Sequence, residues 1–600
     1  METNIHQLVK KLESNYISGQ TKTSKYVTYN LLDEIERIEA YDDSKHTSGE
    51  TDSLGREKPF FNIVTSAKNI WFRATDLDRR HIQVSADSQK NYFASFVATK
   101  YLHQWMKESK FGQFLNKWGM VLAKYNEAVV KFAEQDGELK WRVVPWNTLI
   151  VDTLDFNNSP VIEVINAKPD VLRKNIAYDQ DVVKALIDTV QSAEMVDGTD
   201  KEQKADTIKI YEIHGELPKS YITGDPEDSE TYEQQMHVIA SQESSEGEVD
   251  EFVLYADYED QSPYMLTALL PEDDGRIALK GSIKHLFEAQ WMANHSLKCI
   301  KDQLDLASKL IFQTSDPNFF GMNAVSALEN GTILTYKLNQ PLSQLENNSH
   351  DITSLQNQES LWKRQGNEIV GISESMQGAA PKSGTAWRQT EAVLQESHNL
   401  FNVMTQNKGL DLEDILRTFV IPFIKRKKLN NRKELVANLK DWGMDKIEAK
   451  YIKVATTKKV RENVKQSLLR GELPENLDPA NAERQVREEM EDLGNVRFIT
   501  PDELGEKEWK DIFKDLAWNI DIDITGEAQN ARNNMSTLVT LMQNMIAEGD
   551  IKSAHRVRDS ILEMSGAISP LELDSPEPVR SMGTGGQAQP MEVGQELQVN

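Results

Sequence analysis

The 600-residue sequence predicts an α+β fold, with helices and strands in separate stretches. Three observations predict it. Residues 60–133 carry apolar side chains at helical spacing. Residues 128–165 and 205–270 alternate at strand spacing. Residues 282–313 then run without Gly or Pro in a long helical pattern.

Residues 1–55 read as a polar, partly helical segment, in which Leu31, Leu32, Ile35 and Ile38 keep helix spacing before the loop Asp42–Gly55. Beyond it, Ile63, Ala67, Ile70 and Trp71 share one face, Phe93, Phe96, Val97 and Tyr101 a second, and Phe114, Leu115 and Trp118 a third. The period then changes to two. Val129, Lys131 and Ala133 alternate, Asp136-Gly137 forms a hairpin turn, and Lys140–Val144 returns as a strand that ends at Pro145-Trp146. Leu149–Val151 and Val161–Ile165 are further strands. Ile208–His214, His237–Ala240 and Phe252–Tyr255 follow, joined by acidic loops such as Gly224–Glu230.

Gly281 opens something different. Ile283, Leu286, Phe287, Ala293, Leu297, Ile300, Leu304, Ala307 and Ile311 mark the apolar face of a helix, with Gln290, Asn294, Lys298, Lys301 and Asp302 on its other, water-facing side. About 30 residues at ~1.5 Å each make a rod of about 45 Å. Residues 315–350 break up around a short strand, Gly331–Tyr336. A second helix, Ile352–Val370, is expected from Ile352, Leu355, Leu361 or Trp362, and Ile369. Residues 371–385 form a small-residue loop containing Gly371, Gly378, Gly384 and Pro381.

A third helix carries Trp387, Leu394, Phe401 and Met404. Gly409 is expected to break it, with Asp411 capping a second piece built on Ile415, Phe419 and Phe423. Lys425–Lys428 suits the C-terminal end of that piece. Residues 430–495 read as helical and charged, Trp518–Ile524 as an alternating strand, and Asn530–Ala547 as an amphipathic helix. The Pro/Gly/Gln/Ser-rich residues 571–600 are expected to be disordered.

With 68 basic against 95 acidic residues, the formal charge is −27. Phosphate binding needs local cations, so this balance argues against a nucleic-acid coat. The acid is concentrated: residues 191–275 hold 23 Asp or Glu against 4 Lys, a net of −19. That stretch reads as a solvated, loop-rich insertion or as a wall that repels a polyanion. The one cysteine, Cys299, excludes a disulfide framework within the chain and any Cys-based zinc site, and fits a reducing compartment. The N-terminus has acid where a signal peptide wants base, and no apolar run approaches the ~20 residues that span a bilayer. A soluble protein, or one carried in a particle, is expected.

The nucleotide-binding glycine loops, the metalloprotease His-Glu-x-x-His and the Gly-x-Ser-x-Gly elbow are all missing from the sequence. Cys299 reads as a small buried or half-buried thiol rather than a nucleophile. His81 reads as a surface residue. Asp521 and Asp523 alternate onto one strand face, which suits a divalent ion, but the sequence places no third ligand nearby. Lack of a catalytic constellation in so long a chain favours a structural or assembly role. Basic residues do cluster at Lys363-Arg364, Lys382, Arg388, Lys425–Lys428 and Lys458-Lys459, near loops and helix ends.

Three stretches, in order, resemble the portal proteins of tailed bacteriophages. They are Val143–Asp152 (VVPWNTLIVD), Gly281–Ser296 (GSIKHLFEAQWMANHS) with Asp302, Asp305 and Ala307-Ser308 after it, and Glu368–Gly378 (EIVGISESMQG) followed by Ser383–Ala386 (SGTA). The resemblance runs from about Gly55 to Ile546.

It implies an α+β portal-like subunit: a wing over 56–280, a stem helix at 281–314, a small clip at 315–350 and a second stem helix at 351–371. A tunnel loop would occupy 372–385, a wing or channel helix 386–429 and a crown 430–570. It further implies a ring, typically of twelve copies, at one capsid vertex of the virion, assembled in the host cytoplasm. The ring would act as the conduit for genome packaging and ejection. Implied partners are the terminase large subunit, a head-tail adaptor or neck protein, the major capsid and scaffold proteins, and double-stranded DNA. No membrane, cofactor, metal or enzymatic activity is implied.

By position, Lys382 in the loop, Lys363 and Arg364 in the stem, and Arg388 just beyond would meet DNA, with Gly371, Gly378 and Gly384 as loop hinges. A channel must not grip its substrate, and sparse cations keep phosphate contacts few. The alternatives are another head-assembly structural protein, or a metal-dependent nuclease using Asp521 and Asp523.

Overall fold

The structure is a computed structural model. It describes residues 4–18, 21–22, 28–53, 55–77, 82–85, 92–135, 137–196, 207–243, 249–307, 312–313, 315, 339, 343–344, 352–373, 376, 387–428, 435–438, 444–470, 479–492, 496–499, 509, 513, 516, 518–522 and scattered positions between 538 and 557. The chain divides into two units, Met1–Ile524 and Thr525–Asn600. In the second, positions 538–539, 541–543 and 545 are helical, as expected within Asn530–Ala547. The tail 571–600 lies outside the described residues, as do His81 and the strand expected at Gly331–Tyr336.

The first unit mixes helices and antiparallel sheets, as the α+β reading requires. Its helices begin with α1 (Ile5–Ser18), α2 (Leu31–Asp42) and α3 (Val64–Ala74). Asn30 caps α2, its side-chain oxygen accepting from the Leu32 amide at 3.1 Å. Strand β1 (Ile82–Ser85) precedes α4 (Tyr92–Glu108) and α5 (Phe111–Tyr125). Strands β2 (Glu127–Gln135) and β3 (Glu138–Val144) form the expected hairpin, with Gly137 at φ +73° in its turn.

Then come β4 (Leu149–Ile150), β5 (Val161–Ala167), α6 (Pro169–Lys174), α7 (Gln180–Val196), β6 (Ile208–Pro218), β7 (Tyr232–Glu243), β8 (Val249–Tyr258) and β9 (Tyr264–Ala268). Helix α7 falls between the two strand-rich stretches and was not foreseen. Its Val183, Leu186, Ile187 and Val190 are the helical signal that marks it.

Strands β4 to β8 make a five-stranded antiparallel sheet in sequence order, and β2 sits between β9 and β3 in a second sheet. Alternation along the larger sheet gives it two apolar faces. Ile208, Ile210, Val238 and Ala240 pack with α7, whereas Ile150, Ile162, Ile213 and Ile239 pack with Ile5 and Val9 of α1. The N-terminal segment is therefore a docked amphipathic helix, not merely a polar lead. The largest core joins α2–α5, the smaller sheet and the helices below.

Buried ions connect the sheets. Lys131 of β2 pairs with Glu163 of β5 at 3.2 Å and with Glu212 of β6 at 2.6 Å, and His214 bridges Glu212 and Glu259. Burial opposes the charge on Glu212, yet the bonds from His214 and Lys131 prevail and hold its carboxyl down at about 2.

Helix α8 (Phe287–Ala307) follows a separate single turn, Ser282–His285. The expected 30-residue rod is thus a 21-residue helix of about 32 Å. Leu286 leaves helical geometry at its N-terminal side, at ψ +1°, and residues 312–313 are strand. That strand, β10 (Phe312–Gln313), pairs antiparallel with β11 (Ser343–Gln344). Helix α9 (Ile352–Ile369) matches the expected second helix.

Helix α10 (Trp387–Ile415) passes straight through Gly409. A single helical Gly costs about 1 kcal/mol, which the buried stripe Phe401, Met404, Leu412 and Ile415 outweighs. The helix runs on through the wide turns Leu416–Val420 and Ile424–Lys428, on either side of a segment in which Pro422 supplies no N–H. The C-terminal part adds β12 (Leu435–Asn438), α11 (Met444–Arg470), α12 (Pro479–Asp492), β13 (Val496–Ile499) and β14 (Asn519–Ile522). β12 pairs with β13, and β14 pairs with β1, a long-range partner that the helical reading of 60–133 had passed over.

Candidate functional site

The site is the α8–α9 hairpin and the body beneath it. Near the body, Gly366 of α9 lies against Leu286 and Ala289 at the start of α8, where an added Cβ would approach both to 3.0 Å. At the far end the β10–β11 ladder links the helices, so they run antiparallel. Gly366 lets two backbones approach. A lone glycine inside a helical pattern was the available signal for it.

Gln290 and Asn294 correct the expectation of a water-facing polar side. Both are buried, at 0% and 6% exposure. Gln290 accepts from the Ile63 amide at 2.9 Å and donates to the Phe61 carbonyl at 2.5 Å, and Asn294 accepts from the Phe61 amide at 3.0 Å. They satisfy the backbone of the chain entering α3 and so pin the hairpin to the body. Further out, Arg56 reaches Asp302 at 2.9 Å and Asp52 at 2.8 Å, and Lys298 reaches Asp302 at 2.6 Å.

Lys363 and Arg364 both sit on α9, beside an open groove of ≈930 Å³. The Lys363 ammonium lies 5.2 Å from the Phe61 ring centre, and Arg364 faces Glu368 at 3.8 Å. Glu359 and Glu368 line the same groove. Two cations and two carboxylates cancel there, so the groove is polar without being an anion trap.

Gly371 closes α9 at φ +71°, and the Ile372 amide bonds back to the Asn367 carbonyl at 2.8 Å. Lys382, Gly378 and Gly384 lie outside the described residues, as does Asp523. Arg388 falls in the first turn of α10. Lys363 and Arg364 therefore share one groove, and Gly371 lies just past the end of the same helix.

The hairpin and α10 expose more apolar surface than a solvated helix needs. Trp291 is 54% and Ile369 60% exposed, and Leu304 and Leu361 are exposed as well. On α10, Leu400, Val403 and Leu410 form a second apolar stripe away from the buried one, and Leu400 touches Gly371.

The base of the hairpin is closely fitted. A Cβ at Gly281 would lie 2.1 Å from the Lys124 carbonyl oxygen. The Ser282 hydroxyl donates to the Ala123 carbonyl at 2.7 Å. Asp411 does not cap a helix as expected: it accepts from the Ala268 amide at 2.8 Å, at the end of β9. Burial pushes its carboxyl up to about 7 against that bond.

Cys299 is half-buried, 3.7 Å from the His295 ring. Among the described residues no three His, Cys, Asp or Glu are grouped to hold a metal, and no helix is long and apolar enough to cross a membrane. The chain matches no family model and no curated protein.

Proposed function

We propose that the chain is the subunit of a portal-type ring, a homo-oligomeric conduit through which double-stranded DNA enters and leaves a capsid. In this reading α8 and α9 are the stem, the segment between them is the clip that meets the terminase large subunit and later the head-tail adaptor, and the strand-rich region is the wing beside capsid and scaffold proteins. The observation that carries it is the antiparallel helix hairpin, pinned to an α+β body at one end and bearing exposed Trp291, Leu304, Leu361 and Ile369. Apolar surface of that kind on a charged chain calls for a protein neighbour. Identical subunits in a closed ring supply one at every position.

Charge is consistent with this use. Lys363 and Arg364 share their groove with Glu359 and Glu368, so sliding DNA would meet few uncompensated cations. Twelve copies would carry twelve times −27, and apolar contacts must hold the ring against that repulsion. Negative-stain microscopy of the purified full chain tests the reading. It expects rings with a central hole, and a strictly monomeric protein at high concentration would overturn it.

A further inference from the structure

The segment between β9 and the Ser282–His285 turn launches the hairpin, and it is held by side chains from three directions. Asn126 bonds both the amide and the carbonyl of Leu270, at 3.0 and 2.8 Å, and Asn407 donates to the Leu269 carbonyl at 2.7 Å. At the other end the chain reverses at Leu279, whose φ of +49° lies in the left-handed region. A leucine does not adopt that conformation without being held there. The holder is Glu127, the first residue of β2, which is 2% exposed. One of its oxygens accepts from the Ala278 amide at 3.1 Å and from the Leu279 amide at 2.9 Å. Gly281 then fits against α5 with no room for a side chain. Of the groups that fix this turn through the backbone amides of 278 and 279, Glu127 alone is ionisable.

We propose that Glu127 is a positioning residue: its ionised carboxylate holds the turn at Leu279 and so sets the direction in which the hairpin leaves the body, and its protonation loosens that turn. The proton comes from solvent and goes to a carboxylate oxygen. On the oxygen that faces the amides the proton displaces an acceptor; on the other oxygen it leaves a neutral carbonyl whose two bonds have lost their charge assistance. In either case both amides are held less tightly than by the carboxylate.

Burial pushes the Glu127 carboxyl up to about 7, against the pull of the two amides. Its charged surroundings are Glu272, which opposes ionisation, and Lys284, which favours it. Lys284 is itself bonded to the Ala278 carbonyl at 3.0 Å and paired with Glu34 of α2 at 3.1 Å. Lys280 pairs with Glu272 at 2.8 Å, and Arg276 lies 3.7 Å from the same carboxylate and 3.5 Å from Asp274. On the α5 side Lys124 is paired with Glu39 and Asp42, at 2.7 and 3.0 Å. His285, in the turn beyond, is held below its ordinary value by burial and by Lys280 and Lys284.

This inference goes beyond the portal reading and does not depend on it, since its test needs neither a ring nor DNA. Amide hydrogen exchange is followed on the full chain at about pH 6 and about pH 8, after correction for intrinsic rates. A carboxyl titrating near 7 changes its ionised fraction about tenfold over that interval. Protection at residues 278–283 should therefore fall several-fold at the lower pH, while amides within the β2–β3 hairpin stay unchanged. In Glu127→Gln the same peptides should lose this pH dependence. Equal dependence in the variant, or none in the wild type, would overturn the proposal. Should the variant fail to fold, the wild-type comparison decides alone: a loss of protection spread evenly over β2, β3 and residues 278–283 would refute it.

Discussion

Lys408 offers a sharp test of how this body is held together. It lies on the buried stripe of α10, at 1% exposure, with its ammonium donating to the Thr75 carbonyl at 2.8 Å and lying 5.4 Å from the centre of the Trp118 ring. Burial drives its pKa from 10.5 down to about 8, with Asp76 pulling the other way. At about 1.4 kcal/mol for each factor of ten in proton affinity, that is a burden of about 3 kcal/mol on the charged form.

Lys408→Met removes that burden and keeps the volume. It also strands the Thr75 carbonyl, at about 1 kcal/mol, and gives up the attraction to the indole, about 1 kcal/mol. The variant should be more stable by about 1 kcal/mol near pH 7, read as a higher urea midpoint. The folded pKa lies below the unfolded one, so the burden is complete below about pH 8 and fades as pH rises towards 10.5. The variant's advantage should accordingly vanish or reverse near pH 10. A variant destabilised by more than ~2 kcal/mol at pH 7, with no pH dependence, would refute the reasoning.

Three further outcomes follow from the hairpin and the loop beside it. Gly281→Ala places a Cβ 2.1 Å from the Lys124 carbonyl, so a loss of about 3 kcal/mol or more is expected from chemical melts; a change below ~1 kcal/mol would mean the turn shifts freely. Ile369 is 60% exposed, so Ile369→Asp should alter subunit stability by less than ~0.5 kcal/mol yet reduce ring formation in sedimentation. Normal rings in that variant would remove the stem apolar face from the interface. Lys382→Ala should leave ring formation intact and change DNA packaging or retention, whereas loss of the ring would make the loop structural.

What could be read from the sequence was mostly local. The β2–β3 hairpin, α2, α3, α9 and β14 follow from spacing and turn chemistry, because each is specified by neighbours a few residues away. What failed was set by tertiary contacts. Gly409 reads as a breaker, but four buried apolar side chains carry α10 past it. Asp411 reads as a cap, but the end of β9 supplies its donor. Gln290 and Asn294 read as solvent-facing because polarity alone does not reveal a backbone waiting to be bonded at Phe61–Ile63. β1 was invisible for the same reason, since its partner β14 lies more than 430 residues away, where Ile82 meets Ile522. Of the candidate site residues, Lys363 and Arg364 do share a groove, but the compensating Glu359 and the close approach at Gly366 needed coordinates to be seen.

The central claim is that this chain closes into a ring around a channel. Negative-stain microscopy of the purified full-length protein, with its mass measured on the same sample, tests it most directly. A portal-type ring gives annular particles with a central hole and a mass near twelve times the 68.3 kDa of one chain. A single species at the mass of one or two chains, with no annular particles at high protein concentration, would contradict it.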